Sequence, residues 1–574
     1  MVVRSVKRPT AVPDSQLVTP GPPAVAGVAT KTQCAWPRTG RQFRSPPRLI
    51  NRAGEREVFH GGAAVILREV TPPEPGTPRA TRWPGLLILS AALLATCWFH
   101  VATFFTRWTD ENVHLYVAQR VLEGARLYAA IPSARPPLAL LPLVAGLGLG
   151  LPPLLVARLA VVLCLVLTAA TLWWAGRRQW AGLAAAALFL LLPEAFARGA
   201  YTGIHWVALG CLCCVVLTLR GRLFAAGLAG GLALAAGQHA AVLVAGAGLI
   251  SLVRSRAQVL RFAGGLGVGL GVPLAVVAVA AGPAAVWQDL VARHLYHLGH
   301  AAPSAEGDLS FFLLSTAFEN LPWLGLAVLG AVWPQGNVEV RRARALVGLL
   351  VVAHLGVVAS MTGGLVLYLF PAMPLLALLA GHGLVAVLRP GPGRWALVVV
   401  AALLGGGWFL AQARYEARDH RGYAFVPMLR QVEMSRLQRL VVAERVVAAL
   451  EPVLHEGDTL FGAPPLVTAV AGAMHHRVAG DLADLAPRWL QLGLVSRKTV
   501  IETIEADRVR AFVVDHGVYE HDPVFTEYLS RCYGPPRFFE REAGDGAGVP
   551  RVSVYLHLEG PCLASASSPA PPRR

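Results

Sequence analysis

The chain has 574 residues, of which 55% are hydrophobic and only 15% charged, and its mean hydropathy is +0.52. That balance excludes a water-soluble enzyme, because apolar runs of bilayer-spanning length recur from Leu86 to Gln412. A formal charge of +17 does not make a nucleic-acid binder: the arginines fall in short clusters between apolar runs, where they act as topology signals, and no recognition module accompanies them.

Residues 1–82 are rich in Pro, Arg, Gly and Ala without a sustained hydrophobic period. Such a segment has too little to bury to offset its ordering entropy, so a disordered cytoplasmic tail is expected, with a misassigned upstream start site as the alternative. Basic residues before Leu86 favour a first helix with its N-terminus inside, and no signal-peptide pattern is present.

From there the positive-inside rule sets the order. Leu86 to Phe105 runs outward and Leu151 to Gly176 returns to Arg177 and Arg178, so Leu138 to Gly150, too short to span comfortably, is read as interfacial. Trp180 to Ala197 goes out and Ile204 to Leu219 returns. Leu223 to Val253 begins and ends inside, as two short helices broken at Gly237, Gln238 and His239. Phe262 to Ala281, Phe311 to Trp333, Leu346 to Met361, Leu365 to Leu388 and Trp395 to Gln412 alternate thereafter, and every arginine cluster lands on one side. The expected fold class is a polytopic α-helical membrane protein with about eleven hydrophobic helices in residues 83–412.

The first outer loop, residues 106–137, falls within the stretch that includes Trp108 to Leu138, WTDENVHLYVAQRVLEGARLYAAIPSARPPL. Asp110 and Glu111 stand where a hydrophobic helix leaves the bilayer, a position where ionisable groups are costly and usually functional. The plainer alternative is a solvated helix cap. Arg135 either meets an anion or anchors at the headgroups by snorkelling. His294, His297 and His300 share a three-residue spacing in a second outer loop, but the drift of that spacing around a helix makes a poor ligand set. No metal site is assigned, and a divalent cation stays open as a cofactor. Cys211, Cys213 and Cys214 are read as small packing residues inside a span.

After Ala413 the charge rises and apolar runs shorten. Helical patterns at Val441 to Leu450, Pro487 to Leu492 and Val524 to Cys532 alternate with strand-like ones at Thr459 to Gly462, Ala511 to Val514 and Val552 to Leu558. Residues 413–574 are expected to form an extracytoplasmic α/β domain, in which a Cys532 to Cys562 disulfide is open.

In this order of features the chain resembles the GT-C glycosyltransferases, the group that includes protein O-mannosyltransferases and lipid A aminoarabinose transferases. The residues that carry the resemblance are Asp110, Glu111, Tyr116, Ala118, Gly124, Tyr128, Pro136, Pro137 and Leu138, followed by the glycine-rich Ala225 to Ala236, YLFPAMP from Tyr368 to Pro374, and the C-terminal GDTLFGAPP and RVAGDLAD. Arg135 stands where the family commonly has a basic residue, whereas His239 departs from the Lys or Thr usual after such a break. The resemblance implies a membrane enzyme that moves a sugar from a polyprenyl-phosphate donor to a lipid, glycan or protein acceptor on the outer face of a bacterial inner membrane, usually with inversion. Tyr116, Tyr128, Arg135, His239 and Tyr368 would then contact donor phosphate or substrate.

The chemistry of the residues agrees. An acceptor must lose a proton as it attacks the anomeric carbon, for which Asp110 is the expected general base and Glu111 its support. The leaving group is an anionic lipid phosphate, for which Arg135, or else Arg198 or Arg293, supplies positive charge. A transporter or a non-catalytic scaffold for envelope intermediates are the competing classes. The first would be expected to show broken helices in two matching halves, and only the Gly237 break qualifies.

Overall fold

The computed structural model describes residues 83–102, 110–176, 180–192, 200–295, 320–334, 338–360, 366–388, 440–485, 495–515, 521–539 and 552–558, with a few single positions between them. The expected tail of residues 1–82, the span Trp395 to Gln412, and Arg198, His297, His300 and Cys562 lie outside them.

The protein is a multi-pass helical membrane protein with a C-terminal α/β region. Helix α1 covers Trp83–Ala102, α2 Asp110–Leu122, α3 Leu141–Gly148, α4 Pro153–Ala175, α5 Trp180–Leu190, α6 Ile204–Leu219, α7 Leu223–Ala236, α8 Ala241–Arg254 and α9 Arg256–Ala281. Among the described residues, Pro153–Ala175, Arg256–Ala281, Val338–Ala359 and Tyr368–Leu388 are long and apolar enough to cross a bilayer, and shorter apolar helices pack among them. The eight residues of α3 rise only about 12 Å, in keeping with a helix that does not cross.

The break between α7 and α8 falls at Gly237, whose extended backbone leads into a 3-10 turn at Gln238–Ala240. Two helix boundaries differ from expectation. Arg256 and Arg261 lie within α9, and Arg341, Arg342 and Arg344 lie within Val338–Ser360 rather than in a connecting loop. A helix can carry them there because long basic side chains reach the interface from its first turns.

The packing of α7 on α9 rests on glycine. A side chain at Gly227 would strike the Phe262 carbonyl, one at Gly231 the Leu266 carbonyl, and one at Gly265 or Gly269 the carbonyls of Phe224 or Leu228. Spacing of small residues by four lets the two backbones touch, which is how helices associate where lipid removes the hydrophobic drive.

In the C-terminal region, β1 (Thr459–Gly462), β2 (Arg477–Val478), β3 (Val509–Asp515), β4 (Arg537–Phe539) and β5 (Val552–Leu556) form one sheet in the order β2-β1-β3-β5-β4. Strand β1 pairs in parallel with β2 and β3, whereas β5 is antiparallel to both β3 and β4. Helices Leu440–Leu450, Pro464–Met474, Arg497–Ala506 and Pro523–Cys532 accompany the sheet. Phe461, Phe512, Tyr519, Phe525 and Tyr533 fill its core on one side. Cys532 is disulfide-bonded, and Cys211, Cys213 and Cys214 are free thiols in α6.

Helix α2 joins the two parts. Val113, Tyr116 and Val117 share a core with Leu466, Val467 and Val470 of the C-terminal region, while Leu115 and Ala118 belong to the core of the membrane helices.

Replacing Gly265 with Leu should lower the thermal unfolding midpoint in detergent by at least the equivalent of about 1–3 kcal/mol of overpacking. The same change at Gly267, which meets nothing within 4 Å, should leave it near that of the wild type; equal midpoints for the two variants would refute the glycine contact.

Candidate functional site

Asp110 and Glu111 are adjacent in the first turn of α2, so their side chains leave the helix about 100° apart. Asp110 faces an opening, with its side chain 42% exposed, and accepts a 2.7 Å ion-paired hydrogen bond from the Arg135 guanidinium. Burial pushes its carboxyl up, but the charge and hydrogen bond of Arg135 outweigh that and hold it below the usual range. Asp110 is therefore an ionised acceptor at neutral pH.

Glu111 turns the other way. Its side chain is 2% exposed and lies 2.9 Å from Arg158 of α4, and the Tyr201 backbone N–H donates to the same carboxylate oxygen. Burial raises its carboxyl, with Arg158 and the Tyr201 amide pulling it down. A carboxylate enclosed in this way cannot touch an acceptor. It ties α2 to α4 and to the segment before α6, so its contribution is to hold Asp110 in place. Arg158 is the single charged residue of the apolar helix α4, a signal that a buried acidic partner faces it.

Arg135 sits on the turn Ile131 to Pro137, which is fastened at nearly every polar atom. The Tyr128 hydroxyl donates to the Arg135 carbonyl at 2.6 Å. The Ser133 amide donates to Asp289 at 2.9 Å. The Ser133 hydroxyl and the Ala134 amide both donate to Asp484, at 3.2 and 3.1 Å. Asp484 also lies 3.7 Å from the Arg135 Nε. Asp289 is itself paired with Arg293 at 3.0 Å, and the Arg293 guanidinium lies over the ring of Trp489, 4.8 Å from its centroid. Asp484 and Asp289 are each buried enough to have their carboxyls raised, with Arg135 and Arg293 respectively drawing them back.

His239 and Tyr368, expected near the donor, are together: their rings stack with centroids 3.9 Å apart. Tyr368 is within electrostatic range of Arg135. Between them and the turn, the His294 ring lies 3.0 Å from the Gln238 amide and 3.3 Å from the Ala134 carbonyl. His114, one turn after Asp110, donates from Nδ1 to the Asp110 carbonyl at 2.6 Å. Burial lowers its pKa to about 4, so the ring is neutral.

Two of the tyrosines expected at substrate have other partners. Tyr116 is 4% exposed; its hydroxyl accepts from the Val478 amide at 2.8 Å and donates to Asp481 at 3.2 Å. Arg120 grips the same Asp481 with two hydrogen bonds, at 2.7 and 3.1 Å. Tyr116 is thus a contact to the C-terminal region, because a buried hydroxyl with both roles used has nothing to offer a ligand. Tyr128, also 4% exposed, serves the site through the Arg135 carbonyl. Neither Asp484 nor Asp289 was singled out from sequence, although Asp484 closes the RVAGDLAD motif. Among the described residues no group of three or more His, Cys, Asp or Glu side chains is placed to hold a metal ion.

No family model matches the sequence, and no curated protein matches it either. Solved structures do match its fold. ArnT from Cupriavidus metallidurans bound to undecaprenyl phosphate is 18% identical, with a TM-score of 0.59 over 84% of this chain and 100% of that one. The same protein in the apo state gives 0.55 at 18% identity, over 83% and 98%. The apo oligosaccharyltransferase of Archaeoglobus fulgidus is more distant, at 0.45 and 11% identity over 80% and 74%.

Removing Glu111 should be felt in stability first. Glu111→Gln leaves Arg158 without its charge partner and should cost about 3–5 kcal/mol, read as an earlier thermal unfolding midpoint in detergent. The double change Glu111→Leu with Arg158→Met should recover most of that loss, and a double variant no better than the single one would argue against the pair. With its apolar helices, glycine-packed helix pair and terminal mixed sheet, the chain has a multi-helix membrane fold similar to that of the ArnT structures.

Proposed function

We propose that the protein is a membrane glycosyltransferase that moves a sugar from a polyprenyl-phosphate donor to an acceptor at the outer face of a bacterial inner membrane. Residues 83–412 would form the membrane domain and 413–574 an extracytoplasmic α/β domain, with the N-terminus cytoplasmic. The observation that carries the reading is the Asp110 and Arg135 pair, 2.7 Å apart, in a fold shared with an ArnT structure that holds undecaprenyl phosphate.

Asp110 takes the proton of the acceptor hydroxyl or phosphate as its oxygen bonds to the anomeric carbon. The bond from that carbon to the donor oxygen breaks, and its electron pair leaves with the lipid phosphate. Arg135 faces the charge that grows on that phosphate, and the stacked His239 and Tyr368 line the same side. The two tasks are linked through one guanidinium. A donor phosphate that draws Arg135 toward itself loosens its hold on Asp110, and the base strengthens when the donor is in place.

Membranes carrying the wild type should transfer label from at least one polyprenyl-phosphate sugar in a radiolabelled panel, and Asp110→Asn should reduce the rate by about 100-fold or more, the range of general-base catalysis. Retention of full transfer by Asp110→Asn would remove the base assignment. Flux of the labelled lipid without transfer would favour a transporter. In the pH profile, residual transfer by Arg135→Gln should lose rate at higher pH than the wild type on the acid side, because a carboxylate without its cation protonates sooner. An acid limb left in place would show that Asp110 is not the group titrating.

A further inference from the structure

The turn that carries Arg135 is fastened from two sides. Asp289 holds the Ser133 amide from the first turn of the helical segment Gln288–Ala292, whereas Asp484 comes from the C-terminal region, 351 residues along the chain from Ser133. Asp484 takes more of the load. One of its oxygens accepts the Ser133 hydroxyl and the Ala134 amide and lies 3.7 Å from the Arg135 Nε. Its side chain is 9% exposed, so it is not itself placed to meet a large ligand. The Arg135 side chain is 27% exposed; its Nη2 is paired with Asp110 at 2.7 Å and its Nε edge lies toward Asp484.

We infer that Asp484 is a positioning residue for the donor phosphate: it fixes the turn and the Nε edge of Arg135, so that the anion site is complete only when the C-terminal region is docked on the membrane helices. The docking contact is separate from the site. Tyr116 and Arg120 of α2 hold Asp481 and the Val478 amide, three residues and more before Asp484, and the buried face of α2 shares its core with Pro464–Met474. The C-terminal region therefore contributes an acceptor to the turn in addition to any contact it makes with the sugar acceptor. This inference rests on the polyprenyl-phosphate reading of the preceding section.

The full chain in detergent, titrated with undecaprenyl phosphate and followed by tryptophan fluorescence, tests it through a double-mutant cycle. The expected result is binding by the wild type, about tenfold weaker binding by Asp484→Asn, and about 100-fold weaker binding by Arg135→Gln, as for the loss of a charged hydrogen-bond partner. Asp484→Asn added to Arg135→Gln should cost nothing further, since Asp484 acts through a side chain already gone. A residue needed only for folding would weaken both backgrounds by the same factor, and that additivity would overturn the role, as would unchanged affinity in Asp484→Asn. Should Asp484→Asn not fold by thermal melting, Asp484→Glu, which keeps the charge and moves it by one methylene, takes its place in the cycle with an intermediate loss expected. If wild type ignores the lipid, the donor reading fails and this inference with it; if wild type binds and only the cycle is additive, the donor reading stands without Asp484.

Discussion

The buried ion pair between Glu111 and Arg158 is the constraint on which the arrangement around α2 depends. Two charges withdrawn from water are tolerated only where each satisfies the other and further hydrogen bonds meet the remaining lone pairs, and the Tyr201 amide does that for Glu111. The geometry allows little freedom. Once the Glu111 carboxylate is enclosed between α4 and the segment before α6, the helical turn puts its neighbour Asp110 toward the opening, within reach of Arg135. One residue of the acidic pair gives its charge to a buried ion pair, and the other stays 42% exposed beside Arg135.

The same division runs through α2. Asp110 faces the opening, Leu115 and Ala118 face the membrane helices, and Val113, Tyr116 and Val117 face the sheet region. A short helix with three different neighbours cannot show a single apolar stripe, and nine of its thirteen residues are buried despite its polar composition. Around it the polar groups are connected in sequence: Tyr128 and Asp484 to the Arg135 turn, Asp289 to Arg293, Arg293 to Trp489. Such a network gives a guanidinium one direction to point.

Periodicity made the local elements legible. The strands at Thr459–Gly462 and Val552–Leu556, the helix ending at Cys532 and the break at Gly237 fall where alternation, helical spacing or a glycine next to polar residues put them. The order of residue types in the first outer loop also pointed to Asp110 and Arg135, which the fold brings into contact. What local pattern does not carry is the identity of distant partners. Glu111 and Asp110 look alike in sequence, and only the position of Arg158, 47 residues on, separates their roles. Tyr116 reads as a ligand-facing tyrosine until Asp481 and Val478 are brought over it, and Asp484 has no local feature that would distinguish it from a surface carboxylate.

The distance between those partners has a consequence for how the protein is made. Arg120 and Asp481 are 361 positions apart, and α2 is synthesised long before the segment that covers it. During that interval Tyr116, Arg120 and the apolar residues Val113 and Val117 stand at the membrane surface without the sheet region, as an uncovered edge open to non-native contacts. Loop closure over so many residues is an entropic cost met only when the last part of the chain arrives. The covering of α2 by the C-terminal region is therefore a late event in biogenesis, and truncations or frameshifts in the final quarter of the chain act on α2 as directly as changes within it.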